Sequence, residues 1–372
     1  MPSAECFFTP SPVHPITPSS PLAITGMGLI CRRKAALCSR FIDADSLPAQ
    51  NSNARSLELA LYASKLAGAE EFSERESTGT CVTISKGWLE ELERRVERGG
   101  SGGHVLQCAP DFAAREIARR FRFGGPSAAA VAACASGLAS LKLGGDWIRD
   151  GVCKTVLSGA GESSNSELVL KSFERLGVMS RSGFTRPFDR RRDGFVVGEG
   201  AAVFRLEALH EAQRRGADVL GIIWRIALGA DGCHLTTPDP SGDALAEVIT
   251  RACQGHRDEI GWVHAHGTAT EYNDRVEAAA LRRVFGKKIP PVTATKGMTG
   301  HLLGASGAVA LGLTLEALRG GFIPCVAGLE EVDAEFSELD LVLRESRRSA
   351  ARKALVLNHG FGGHIAAAVV GL

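Results

Sequence analysis

Apolar positions along the chain switch between periods of about two and about 3.6 residues, and each switch marks an element. Residues 22–28 form a short apolar run ending at glycines and read as a strand. A polar loop over 42–56 precedes apolar residues at helical spacing over 57–68. A β-branched strand is expected at 81–85, and a charged helix over 88–98, stopped by Gly99 and Gly100. A further helix spans 111–120, with Asp111 as its expected N-cap. Small residues over 128–137 suggest a strand giving way to a helix at 138–148, and 154–161 reads as a buried strand. Residues 194–206 read as two strands broken at Gly198-Glu199-Gly200, before a charged helix over 207–215. The second half repeats the alternation: helices over 245–253, 274–285 and 304–318, and strands over 262–266, 291–295, 354–357 and 365–370. Strands alternating with helices in two similar halves predict an α/β architecture with sheets covered by helices, divided at 22–208 and 209–372. The Pro- and Ser-rich residues 1–21 read as a disordered leader.

Composition narrows the function. Of 372 residues, 43 are Lys or Arg and 42 Asp or Glu, a net charge of +1 that argues against a duplex-DNA surface or an acidic disordered chain. Ten cysteines are scattered without CxxC spacing, so a zinc ribbon, a redox motif or a disulfide framework is not expected. With no run of about 18 apolar residues, no membrane span is expected, and a cytoplasmic location is. Glycine is abundant, at 43 residues, and aromatics scarce, at 6%, a pairing that suits close backbone approaches.

Three places carry chemistry. Cys134 stands among Ala, Ser and Gly at the expected first turn of a helix, where the dipole favours thiolate. His266 ends a strand before Gly267-Thr268-Ala269-Thr270, and His301 follows Lys296-Gly-Met-Thr-Gly at the entry to another helix. Histidines at two strand exits, beside glycines and hydroxyls, suggest one site built from several element ends. A metal site is disfavoured because no HxxxH or HExxH spacing links them. Asp274 and Glu277 read as helix-start carboxylates.

These motifs resemble the β-ketoacyl-acyl carrier protein synthases of the thiolase fold, in the elongating branch with a Cys-His-His triad. The resemblance rests on Ala133-Cys134-Ala-Ser-Gly137, Arg186-Pro-Phe-Asp-Arg-Arg-Arg-Asp-Gly-Phe-Val-Val-Gly-Glu-Gly200, His266-Gly-Thr-Ala-Thr270, Lys296-Gly-Met-Thr-Gly-His301-Leu-Leu-Gly-Ala-Ser-Gly307 and Gly360-Phe-Gly-Gly363, in order along the chain. It implies a thiolase-like α-β-α-β-α sandwich and a decarboxylative Claisen condensation. Cys134 would hold the acyl chain, with the amides of Cys134 and Phe361 as oxyanion donors. His266 and His301 would stabilise the enolate formed from malonyl-carrier protein, and Lys296 would orient the loop of His301. Thr268 and Thr270 would bind the phosphopantetheine arm, and Phe361 would act as a gate. The charged block 186–200 would be structural, packing a turn beneath the site. The acyl carrier protein would bring the substrate, with no metal or cofactor and no nucleic acid involved.

Some positions depart from the family pattern. His359 replaces the aromatic residue before the gate motif and is expected to change which chains are admitted and to titrate near neutral pH. His364-Ile365 replaces Thr-Asn, removing an expected contact to the loop of Asp231. Ala310 replaces a glutamate, so Lys296 is expected to lack a carboxylate partner. The stretch between Gly28 and Leu57 is short. These departures suggest a secondary or polyene-type pathway. The alternatives are a chain-length-factor-like partner subunit without turnover and a coenzyme A thiolase; the latter is disfavoured for want of a second cysteine motif. A homodimer, or a heterodimer with a ketosynthase-like partner, is expected, and Arg94, Arg95 and Arg98, or Arg119, Arg120 and Arg122, are candidate contacts to an acidic carrier protein.

Overall fold

The computed structural model describes residues 20–31, 41–44, 55–98, 105–163 and 166–372. The expected leader lies almost wholly outside these, as does most of the short stretch between Gly28 and Leu57. The first half carries strands β1 (Leu22–Cys31), β2 (Phe41–Asp43), β3 (Thr78–Thr83), β4 (Ser127–Ala128), β5 (Thr155–Ser163) and β6 (Glu199–Ala208). Its helices are α1 (Arg55–Leu66), α2 (Leu89–Arg98), α3 (Phe112–Phe121), α4 (Ser136–Arg149) and α5 (Glu167–Arg175), and α6 (Leu209–Arg214) opens the second half. The second half has strands β7 (Gly221–Ala230), β8 (Trp262–His264), β9 (Val292–Thr293), β10 (Phe322–Ile323), β11 (Arg347–Arg348), β12 (Lys353–Gly360) and β13 (His364–Gly371). With them run α7 (Asp243–Cys253), α8 (Glu271–Phe285), α9 (Lys296–Thr299) and α10 (Ser306–Gly320).

The repeat that the sequence only suggests is explicit in the sheet order, β4-β3-β5-β6-β1-β7-β13-β12-β8-β9. Counted within each half, the main strands run 3-2-4-5-1 in both. Each half also pairs its strands in the same sense, two parallel pairs and then two antiparallel pairs. The halves meet where Leu22–Ile24 pair antiparallel with residues 221–223.

Alternation along the strands sets the layers. Val156 and Ala160 of β5 and Ala202, Phe204 and Leu206 of β6 face a central core, while Leu157, Ala201 and Val203 face α1 and α3. On β12 and β13, Val356, Ala366 and Ala368 face the same central core, and Leu355, Leu357, Ala367 and Val369 face α7 and α8. Helices α4 and α10 fill the middle layer, completing an α-β-α-β-α stack. They approach closely because Gly137 and Gly307 lack side chains. A Cβ on Gly137 would stand 2.8 Å from the Ala308 amide nitrogen, and one on Gly307 2.9 Å from Leu138 Cγ. The loops entering these two helices carry Cys134 and His301, so this contact brings the chemistry together.

Several sequence expectations need correction. Residues 199–208 form one strand, and 194–198 is instead an extended segment bonded to the site loops. Asp111 makes no side-chain cap; its carboxylate pairs with Arg115 at 2.9 Å. Strand β7 was not anticipated, because opposite Val369 and Val370 the register passes from Arg225 to Ile223, and the extra residue Trp224 breaks the period of two. Helix α5, capped by the Ser166 hydroxyl, was also unread.

Candidate active site

Cys134 sits on the turn between β4 and α4. Ser136 locks this turn: its hydroxyl accepts the Ala132 amide at 2.9 Å and donates to the Ala133 carbonyl at 2.6 Å. Helix α4 is capped at Ala135, so Cys134 stands just outside the helix and not in its first turn. Ala133 (φ 46°), Ala269 (φ 60°) and Leu303 (φ 44°) all adopt left-handed backbone conformations. One such strained residue thus falls on each of the three loops bearing Cys134, His266 and His301. Gly360 closes on Cys134, since a Cβ there would lie 2.8 Å from the Cys134 amide nitrogen. Burial pushes the Cys134 thiol above its ordinary value, while Lys86 and Lys296 draw it down. Lys86, on the loop after β3, had no motif to announce it.

The two histidines meet edge to face, with ring centroids 5.3 Å apart at 80°. Nδ1 of His301 accepts the Leu303 amide at 3.2 Å and lies 2.9 Å from the Ser306 hydroxyl. An accepting Nδ1 places the proton of a neutral imidazole on Nε2. Nδ1 of His266 lies 3.1 Å from the Lys296 ammonium, which also donates to the His266 carbonyl, and the same tautomer follows. Burial, and then the Lys296 charge, hold both rings well below the usual histidine range, so both are neutral at physiological pH. Lys296 therefore bonds to His266, where the sequence assigned it to the loop of His301.

The carboxylates of α8 are not helix-start ornaments. Glu277 is fully buried and accepts the amides of His266 at 2.6 Å and Gly267 at 2.7 Å. Asp274, also buried, accepts the Phe188 amide at 2.9 Å. Burial raises Glu277 and lowers Lys296, and each charge favours the other. Lys296 consequently has carboxylates nearby although Ala310 supplies none. The charged block 186–200 scaffolds the site, as the resemblance implied. His301 donates its amide to Val196 at 2.8 Å, Gly194 donates to Ala269 at 2.8 Å, and the Phe195 ring meets His301 edge-on at 4.6 Å.

Cys134, His266, His301, Thr268, Thr270, Phe361 and His359 line one pocket of about 870 Å³, measured with its open mouth. Phe173 and Phe195 form an apolar wall, with Phe173 6.1 Å from the Phe361 ring; neither belongs to a motif that names it as a wall. Thr268 and Thr270 hydroxyls bond to each other at 2.8 Å. His359 stacks on His266 at 5.5 Å and 26°, and burial with the Lys296 charge lowers it to about 4, so it does not titrate near neutral pH. In place of the missing asparagine, the Asp231 amide donates to the Gly363 carbonyl at 3.0 Å. Of the basic candidates, Arg95 is paired with Glu91, and Arg119 and Arg120 with Glu116. The side chains of Arg94 and Arg98 lie outside the described residues. Among the described residues no helix is long and apolar enough to cross a membrane.

Residues 48–212 match the family described as beta-ketoacyl synthase, N-terminal domain, and 220–330 match its C-terminal domain. The tetracenomycin polyketide synthase ketoacyl synthase alpha subunit of Streptomyces glaucescens is 36% identical over 314 residues, 79% of this chain and 73% of that one. The mitochondrial 3-oxoacyl-[acyl-carrier-protein] synthase of Arabidopsis thaliana is 34% identical over 314 residues, 79% and 68% of the two chains. Among solved structures, the ishigamide ketosynthase/chain length factor superposes with a TM-score of 0.82 at 26% identity, covering 95% of this chain and 99% of that one. A type II PKS ketosynthase bound to its acyl-carrier protein and a hexaketide has a TM-score of 0.85 at 22% identity, covering 95% and 99%, a likeness of fold.

Proposed function

Because the chain belongs to the β-ketoacyl synthase family, we propose that it is a catalytic ketosynthase that elongates an acyl chain held on Cys134 with malonyl-acyl carrier protein. The carrying observation is that one pocket joins Cys134 to two neutral histidines, each with Nδ1 held as an acceptor and Nε2–H left to donate. The Cys134 thiolate attacks the thioester carbonyl of acyl-carrier protein, and the amides of Cys134 and Phe361 take the oxyanion. The carbonyl re-forms, and the pantetheine sulfur leaves and takes a proton. Malonyl thioester then enters along Thr268 and Thr270. Its Cα–carboxylate bond breaks, CO2 departs, and the electron pair becomes an enolate whose oxygen receives the Nε2–H bonds of His266 and His301. The enolate carbon attacks the acyl-Cys134 carbonyl, forming the new carbon–carbon bond and releasing the Cys134 thiolate. Neutral donors suit this step, since an imidazolium would instead protonate the enolate.

No step calls on a metal or a bound cofactor. Polyketide or polyene-type synthesis is preferred to fatty-acid synthesis, because polyketide ketosynthases stand among the relatives and His359 changes the gate. The partners are an acidic acyl carrier protein and a second ketosynthase-like subunit, either identical or of the chain-length-factor kind, and the site of action is the cytoplasm. The test is incubation with acyl- and malonyl-carrier proteins, with products read by mass. A two-carbon extension and an acyl adduct on Cys134 are expected. No adduct would favour the non-catalytic partner subunit.

A further inference from the structure

His264 ends β8 two residues before His266, is buried, and has no task in the condensation steps. Both of its ring nitrogens are engaged. Nδ1 lies 2.9 Å from the Thr314 hydroxyl and Nε2 lies 3.0 Å from the Thr295 hydroxyl. The direction of these bonds is fixed. Thr314 gives its single hydroxyl proton to the Ala310 carbonyl, 2.7 Å away, so toward Nδ1 its oxygen accepts. Nδ1 therefore carries the ring proton. Burial, and then the Lys296 charge, lower His264 to about 3, so the ring is neutral and Nε2 accepts from the Thr295 hydroxyl. Donation then runs one way, from Thr295 through His264 and Thr314 to the Ala310 carbonyl, and the tautomer is opposite to that of His266 and His301.

The two ends of this chain sit on the elements that build the site. Thr295 directly precedes Lys296, and its carbonyl accepts the amides of Met298 at 2.9 Å and Thr299 at 3.1 Å, the turn that forms α9. Lys296 opens α9, and His301 follows two residues after its end. Thr314 lies on α10, the helix entered from the His301 loop. One imidazole on the strand leading to His266 thus holds both sides of the segment that carries Lys296 and His301. The strand itself does not depend on that side chain, since the backbone of His264 pairs with Val356 of β12 and Thr293 of β9.

We propose that His264 is a positioning residue for the decarboxylation step: through the Thr295 hydroxyl it fixes the start of α9, and with it the Lys296 ammonium against Nδ1 of His266. This rests on the ketosynthase reading above. Loading of Cys134 does not pass through Lys296 or His266 in that reading, so the two half-reactions should respond differently when the bond is cut.

The test uses the full chain, with decarboxylation of malonyl-pantetheine followed by CO2 release and loading of Cys134 from butyryl-pantetheine by intact mass. Thr295→Val keeps the side-chain shape and removes the hydroxyl alone. It is expected to lower kcat for decarboxylation about five- to tenfold, the loss of one hydrogen bond, with KM and the loading rate within about a factor of two of wild type. His264→Leu should show the same split. Because both act through one bond, Thr295→Val added to His264→Leu should slow decarboxylation no further. His264→Gln, whose amide reaches the Nε2 position, should recover most of the loss; His264→Asn, whose amide reaches only the Nδ1 position, should not. Thr295→Val at the wild-type rate overturns the proposal, and this variant decides the point by itself if a His264 variant fails to fold. Losses that multiply in the double variant overturn it too, as does loading that falls in step with decarboxylation or an asparagine variant equal to the glutamine one. Wild-type protein that neither loads Cys134 nor releases CO2 overturns the ketosynthase reading itself, a result distinct from these.

Discussion

The Lys296 ammonium stands 3.1 Å from Nδ1 of His266 and also donates to that residue's own carbonyl. One buried cation thus fixes both the ring orientation and the tautomer of a histidine 30 positions earlier. The bond is strongest while Lys296 is protonated, and burial lowers its pKa to about 8. Malonyl decarboxylation should therefore fall as pH rises through about 8, when loss of the ammonium charge weakens the bond that holds Nδ1 of His266 as an acceptor. Lys296→Arg, which stays charged, should move this alkaline limb upward, and the pH profile of CO2 release checks it. A limb that stays in place would detach Lys296 from His266.

Labour is divided within the pocket. Cys134→Ala should abolish acyl loading but leave decarboxylation measurable, because the enolate donors are intact. His266→Ala or His301→Ala should each lower decarboxylation about 10²- to 10³-fold, the effect of removing one oxyanion donor, and leave loading of Cys134 detectable. Intact mass and CO2 release separate the two activities.

Gly360 is a test of close approach. A methyl group there would meet backbone atoms, the Ala132 oxygen and the Cys134 nitrogen, both at 2.8 Å. Gly360→Ala should therefore displace the oxyanion donors and slow loading of Cys134 by about 10²-fold or more, in line with loss of a donor. Stopped-time mass analysis reads the loading rate, and a rate within a factor of two of wild type would contradict the contact.

Acid stability should report the buried imidazoles. His264, bonded to Thr314 at 2.9 Å and Thr295 at 3.0 Å, is lowered to about 3, and His359 to about 4. In the unfolded chain both return to about 6.5. Their contribution is thus complete above about pH 6.5 and declines as pH falls toward 4 and 3, because the unfolded chain binds protons that the fold refuses. The Tm should drop progressively from pH 7 to pH 4, and less steeply in His359→Phe. Equal slopes would mean that His359 is not held neutral.

Much of the site was legible because its residues lie in short motifs. Cys134, His266 and His301 could be picked out by their glycine and hydroxyl neighbours and by family resemblance. Asp274 and Glu277 were misread, because the sequence reading starts the helix at 274, three residues late, and a carboxylate on a helix looks the same whether it faces water or receives the amides of a loop. Lys86 and Phe173 were unread, and Phe195 was read only as part of a structural block, for a related reason: each acts by proximity across the fold. His359 was noticed as a substitution, but its titration was misjudged, since burial and the Lys296 charge are three-dimensional facts.

Local order by itself determined the alternation of strands and helices and the small-residue turns, and it singled out Cys134, His266 and His301, whose roles the family resemblance then implied. These depend on period, on residue size and on neighbours within a few positions. Only the tertiary structure decided which histidine Lys296 serves, which tautomers the rings adopt, how each group is shifted, and that His359 stacks on His266. Those properties arise from contacts between loops far apart in the chain and from removal of water around them, and neither is written in any single stretch of residues.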